Sequence, residues 1–157
     1  MAEETILIDT QLLVLLVVGL ASRDYIGKHK NLNGPTGYSV GDFELLLGIV
    51  SRASRLLVTP HVLAETSNLV RQGNKSALDH MMMTFKGLLD DAYEQHVPGK
   101  VAAHGPSFVS LGLTDAALLE AARPGAILLT ADFDLYRTAL EAGRRVENFN
   151  HRRAAAR

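Results

Sequence analysis

Cysteine is absent from the 157-residue chain. That excludes disulfides and thiolate-held zinc, and leaves oxygen or imidazole as the ligands for any metal. Hard cations such as Mg²⁺ or Mn²⁺ suit those donors. Proline numbers only 5 and charged residues are 21% of the chain, so no stretch is disordered by composition. A glycine-rich phosphate loop is also missing, which removes the usual nucleotide-binding reading. The apolar run at 12–21 follows Glu3, Glu4 and Asp9 where a signal peptide would be positive, and it is too short to span a bilayer. A cytoplasmic protein without membrane association is expected. The net charge of −1 gives no sign of a general polyanion binder, although Arg144, Arg145, Arg152, Arg153 and Arg157 gather at the C-terminal end against Glu147.

With 47% hydrophobic residues, a chain of this length can bury about two thirds of its unfolded surface around one core. One domain over 1–150 and a basic tail over 151–157 are expected. Apolar strands are read at 5–8, 56–58 and 126–129, with a short fourth at 145–149. Helical spacing marks segments after the first strand, at about 40–53 and 76–95, and at about 133–141 before Gly143. Thr59 and Pro60 read as N-cap and first helical residue of a helix to about Arg71, and Thr114 as the cap of one beginning at Asp115. Long loops are expected at 23–38, where Lys28, His29 and Lys30 make the chain basic, and at 98–106. Alternation of strands and helices predicts an α/β fold with a parallel central sheet between helices. Met81, Met82 and Met83 read as core or dimer filler, and a homodimer is expected.

In an open parallel sheet, sites form beyond the carboxyl ends of the strands. Asp9 closes the first strand, and Asp132 follows the strand at 126–129 by three residues. Asp115 starts a helix and Glu65 lies about one turn into another, both on elements whose starts should face the same rim. Each has a plainer role open to it. Asp115 can serve the helix dipole, Glu65 can be a surface residue, and Asp132 or its neighbour Asp134 can be a helix cap. Together they are more telling, because two carboxylates about 5 Å apart repel by roughly 3 kcal/mol at an effective dielectric near 20. A cation or a proton must offset that. His61, one turn before Glu65 on the same helix face, is a further candidate ligand or base.

The order LIDTQLL, HVLAETSNLV, LGLTDAALLEAA and LLTADFDLYRTALEAG resembles that of the PIN-domain nucleases, including VapC-like toxins of toxin-antitoxin pairs, over about residues 6–148. The resemblance implies a PIN-like α/β fold and Mg²⁺- or Mn²⁺-dependent endoribonuclease activity. It further implies an RNA substrate, a cognate antitoxin as a partner, and catalytic metal-site roles for Asp9, Glu65, Asp115 and Asp132. Thr10 and Thr130 match hydroxyl positions beside the first and last acids, and Asn68 matches a polar position beyond Glu65. Asp134 is a supporting candidate.

Gln11 stands where a haloacid-dehalogenase-like phosphatase needs its second aspartate, and no lysine follows Leu129 where a receiver domain needs one. The competing class is a non-catalytic PIN-like protein that binds RNA or a protein partner. Since an acidic site needs flanking positive charge to hold RNA, Lys28, Lys30, Arg52, Arg55, Arg71 and the C-terminal arginines are the candidate phosphate contacts.

Overall fold

The computed structural model describes residues 4–35 and 37–157; Glu3 and position 36 of the basic loop lie outside them. The chain opens with strand β1 (Thr5–Ile8) and helix α1 (Thr10–Ala21), followed by α2 (Val40–Arg52), β2 (Arg55–Val58), α3 (Pro60–Val70) and α4 (Leu78–Asp91). Strand β3 (Tyr93–Glu94), helices α5 (Gly99–Ala103), α6 (Phe108–Leu111) and α7 (Leu113–Ala121), and strand β4 (Ala126–Thr130) come next. Helix α8 (Phe133–Glu141), strand β5 (Val146–Asn148) and helix α9 (Phe149–Ala155) complete it. The strands form one five-stranded sheet in the order β3-β2-β1-β4-β5, and every pairing is parallel. This is the expected α/β architecture, a parallel sheet flanked by helices, consistent with a PIN-like fold.

The central strands explain why the sheet is covered. All five residues of β4 are buried, as are Ile6, Leu7 and Ile8 of β1. Consecutive strand residues point to opposite faces, so both faces of the sheet centre are shielded from water. The apolar run that could suggest a membrane segment is α1, buried from Leu12 to Val18 and packed against α2, α3 and α4. Among the described residues no helix is long and apolar enough to cross a membrane.

Local chemistry fixes the ends of several elements as expected. The Thr59 hydroxyl accepts from Val62 N at the start of α3, with Pro60 in the first turn. Ser39 and Asp42 exchange hydrogen bonds in a capping box that opens α2.

Other expectations need correcting. Helix α4 stops at Asp91 rather than near Gln95, because Asp90 and Asp91 oppose the negative end of the helix dipole and Tyr93–Glu94 instead pairs with Leu57 and Val58. Helix α7 begins at Leu113 with Gly112, at φ 87°, in the cap position, so Thr114 lies inside the first turn and is not the cap. The loop at 23–38 contains a 3₁₀ turn (Arg23–Lys28), and its His29 is buried against the Val70 carbonyl. Part of the expected loop at 98–106 is helical, in α5.

Residues 151–155 are helical rather than a loose tail. Arg153 anchors them, donating from Nε to Asp42 Oδ1 and from Nη2 to Asp42 Oδ2, both at 3.0 Å, and also to the Gly37 carbonyl. Met81 is buried in the core, whereas Met83, two positions on, is 64% exposed.

Candidate functional site

Strands β1 and β4 are neighbours, yet the chain reaches β4 only after passing through β2 and β3 on the other side of β1. That reversal opens a crevice at the carboxyl ends of β1 and β4, the place where parallel α/β sheets hold ligands. Asp9 follows β1 there and is only 8% exposed. Its Oδ2 accepts from the Thr130 hydroxyl at 2.6 Å, and its Oδ1 accepts from the backbone N–H of Thr10 at 2.7 Å.

Helices α3 and α7 bring two more acids to the crevice. Glu65 Oε1 accepts from the Thr10 hydroxyl at 3.1 Å, and Oε2 accepts from the Thr114 hydroxyl at 2.5 Å. Asp115 is the neighbour of Thr114 in the first turn of α7. Asp132 caps α8, its Oδ1 accepting from Leu135 N at 3.0 Å, while its own N–H donates to Thr130 Oγ1. It is therefore cap and site residue at once. Asp9, Glu65, Asp115 and Asp132 all line one cavity of about 680 Å³.

The electrostatics follow from this crowding. Burial pushes the Asp9 carboxyl above its ordinary value; Thr130 and Thr10 pull it back, and Asp132 and Glu65 push it up further. Burial, joined by repulsion from Asp9, Asp132 and Glu65, raises the Asp115 carboxyl to about 7. Like charges thus feel one another across the cavity. Its lining includes no lysine, arginine or histidine among the described residues.

As the side chains stand, no three His, Asp or Glu groups among the described residues are arranged to hold a metal ion. Asp9, Glu65 and Asp132 each turn at least one oxygen to a protein donor. The donor set is nevertheless of the hard, anionic kind that Mg²⁺ or Mn²⁺ takes, usually through a few carboxylates and several waters. An ion there would relieve the repulsion that adds to burial in raising Asp115.

Of the supporting residues expected from the sequence, Thr10 lines the cavity and Thr130 is buried directly beneath it. Asn68 and Asp134 are exposed and do not line it. His61 does not line it either; its Nδ1 is buried without a hydrogen-bond partner among the described residues.

The expected phosphate contacts divide by position. Arg55 begins β2 and pairs with Thr5, so it lies a strand length, roughly 13 Å, from the carboxyl rim. Its guanidinium stacks over Tyr93 instead. Arg52 borders a hollow with Glu4, Ile6 and Ile127 at that same far end. These two do not flank the acids. Lys30 is exposed beside Asn31, whose carbonyl accepts from the rim residue Gln11 at 2.6 Å, and Arg71 is exposed two residues beyond the rim residue Leu69. Lys28 borders a separate small pocket with Tyr25 and His29.

Three rim residues with polar side chains were not singled out for the site from the sequence: Gln11, Tyr38 and Thr114. Gln11 and Thr114 could have been found, because they lie two residues and one residue from acids already chosen. Tyr38 carries no such mark; only the tertiary fold brings it across. No family model matches the chain, and no curated protein matches it.

Proposed function

We propose that the chain is an Mg²⁺- or Mn²⁺-dependent endoribonuclease that hydrolyses RNA phosphodiester bonds in the acidic cavity. The observation that supports this reading best is the meeting of Asp9, Glu65, Asp115 and Asp132, from four remote segments, at the β1/β4 crevice. Acids gathered without a cation on the walls are costly, and a chain gains little from such a cluster unless something bound there uses it.

Asp9, Asp115 and Asp132, with Glu65, are the residues that would hold the metal. When bound, such an ion supplies charge neutralisation at a phosphate and a more acidic water. The chain's own residues do the positioning. Thr130 and the Thr10 amide fix the two oxygens of Asp9, while Thr10 and Thr114 clamp Glu65 from both sides. Asp132 is held by the start of α8. Fixed carboxylates suit in-line displacement at phosphorus, because they would hold the cation that offsets the negative charge developing there.

The test is cleavage of single-stranded and structured RNA with Mn²⁺ by the wild type and by Asp9→Asn and Asp115→Asn. Loss of cleavage in folded variants is the expected result. An absence of cleavage by the wild type, with calorimetry showing no metal uptake, overturns it. The second reading, a non-catalytic scaffold that binds RNA or protein, is favoured by one observation: no three of the acids are already set around a metal position. Toxin action, with an antitoxin as inhibitory partner, belongs to the proposal through the sequence resemblance; co-expression with the neighbouring gene product is its test. A homodimer and a cytoplasmic location also belong to it, and light scattering and fractionation test them.

A further inference from the structure

Beside the acidic cavity lies a second one of about 590 Å³, lined by Pro35, Gly37, Tyr38, Ala131 and the α9 side of the protein. The two share Tyr38 and Ala131, so they are contiguous. Their chemistry is opposite. The first is walled by four acids, whereas the second has Arg153, Arg157 and Asn150 and no acid among its described lining residues.

Arg153 is already committed to Asp42 and Gly37, and Asn150 is held by the Ala131 carbonyl. Arg157 has no ion pair among the described residues and is exposed. Tyr38 stands at the junction, with the Arg153 guanidinium 4.7 Å from its ring centre; burial raises its hydroxyl above the ordinary value, Arg153 pulls it back, and Asp9 and Asp42 push it up.

We propose that this second cavity is a phosphate subsite, in which Arg157 receives the backbone of a single-stranded polynucleotide whose neighbouring phosphate lies at the acids, with Arg153 and Asn150 forming the wall of the path and Tyr38 standing between the two phosphates. The inference rests on the reading of the acidic cavity as an RNA site and names the path of the strand through it. Four carboxylates repel every phosphate except one that shares a cation with them, so the adjoining phosphates need positive charge close by. Arg157 supplies a charge free to take a phosphate oxygen. An aromatic ring between two backbone contacts suits an unpaired base, which a duplex does not offer. The arginines at the far end of the sheet, Arg52 and Arg55, lie off this path.

The probe is a fluorescein-labelled single-stranded oligouridylate, with binding followed by anisotropy across a salt series, in calcium buffer and again in EDTA. Arg157→Ala should weaken binding about tenfold and make the logarithmic salt slope shallower by roughly 0.7, the share of one phosphate contact on a single strand. Arg157→Glu should weaken it further, Arg55→Ala should leave it unchanged, and a duplex should compete poorly. Melting curves check that the variants fold. Unchanged binding in both Arg157 variants overturns the subsite, as does equal loss in Arg55→Ala, equal competition by duplex, or no binding by the wild type. Cleavage assays separate the two ideas. Cleavage lost in Asp9→Asn with Arg157 irrelevant to binding leaves the nuclease and removes the subsite, whereas binding through Arg157 without any cleavage does the reverse.

Discussion

Thr130 and Asp9 are 121 positions apart in the chain, yet the threonine hydroxyl lies 2.6 Å from the aspartate Oδ2. The bond ties the end of β4 to the end of β1 and holds the buried Asp9 carboxyl in place. Thr130→Val keeps the shape and removes the donor. A hydrogen bond contributes about 1.5–3 kcal/mol when its acceptor is charged, so urea titrations at a pH where Asp9 is ionised should show a loss of that order. The bond favours the ionised carboxylate, so the loss should shrink as pH falls and Asp9 takes up a proton in both proteins.

Asp115 gives a pH dependence of opposite sense. Its carboxyl is raised to about 7 in the folded protein, against about 3.9 in an unfolded chain. Between these values the folded state holds a proton that the unfolded state has lost, so this group makes stability fall as pH rises from about 4 to 7. In metal-free buffer, Asp115→Asn should flatten that slope and melt above the wild type at pH 8. Melting curves across the range in EDTA check it, and parallel slopes in the two proteins would remove Asp115 as the cause.

A cation among the acids should be visible as stability. A ligand that binds only the folded state, at a hundredfold excess over its Kd, adds about 2.7 kcal/mol. Mn²⁺ should therefore raise the melting temperature of the wild type, and EDTA should reverse the rise. In Asp9→Asn the rise should disappear, since that variant removes the innermost charge of the cavity.

The α9 anchor predicts a third kind of pH behaviour. Arg153 and Asp42 have side-chain exposures of only 14% and 11%. Burial alone would raise the Asp42 carboxyl, but hydrogen bonds from Arg153 and the Ser39 N–H hold it below its ordinary value. Arg153→Met should cost about 3 kcal/mol, because it leaves a buried carboxylate unpaired. The stability supplied by the pair is present at neutral pH and lost as pH falls through the lowered value, so wild type and variant should converge in acid. Hydrogen exchange at residues 149–155 should accelerate in the variant.

Two glycines should respond oppositely to alanine. A Cβ at Gly73 would lie 2.6 Å from His29 Cδ2 and 3.0 Å from Met81 Cε, whereas one at Gly87, inside α4, meets nothing within 4 Å. Gly73→Ala should destabilise by about 1–3 kcal/mol, and Gly87→Ala should stabilise by about 0.5–1 kcal/mol. Denaturation midpoints compare them directly.

The parts of this fold that were legible in the sequence are those with a local cause. Apolar runs marked β1, β2 and β4, Thr59 and Pro60 marked the start of α3, and the acids after β1 and β4 followed from where parallel sheets place their sites. Strand β3 was hidden because it has two residues and exists only by pairing with Leu57 and Val58. Helix α9 read as a loose tail because its order depends on Asp42, more than a hundred positions away. Charge read along the chain has no direction in space, and so Arg52 and Arg55 were grouped with the site. Yet Arg55 opens a strand whose far end faces the acids, and that alone argued against it. Tyr38, in a loop of glycine and proline, could be linked to Asp9 only through the fold.

The neighbouring placement of β1 and β4 has a consequence for the protein's birth. During synthesis β1 emerges before β4, and the strand that completes its rim, together with Asp132, is made more than a hundred residues later. Until then Asp9 has neither its threonine donor nor its facing acid. A nascent chain that has emerged only as far as β3 therefore carries no assembled pocket, because Thr130, which fixes Asp9, and Asp132, which faces it, are still missing.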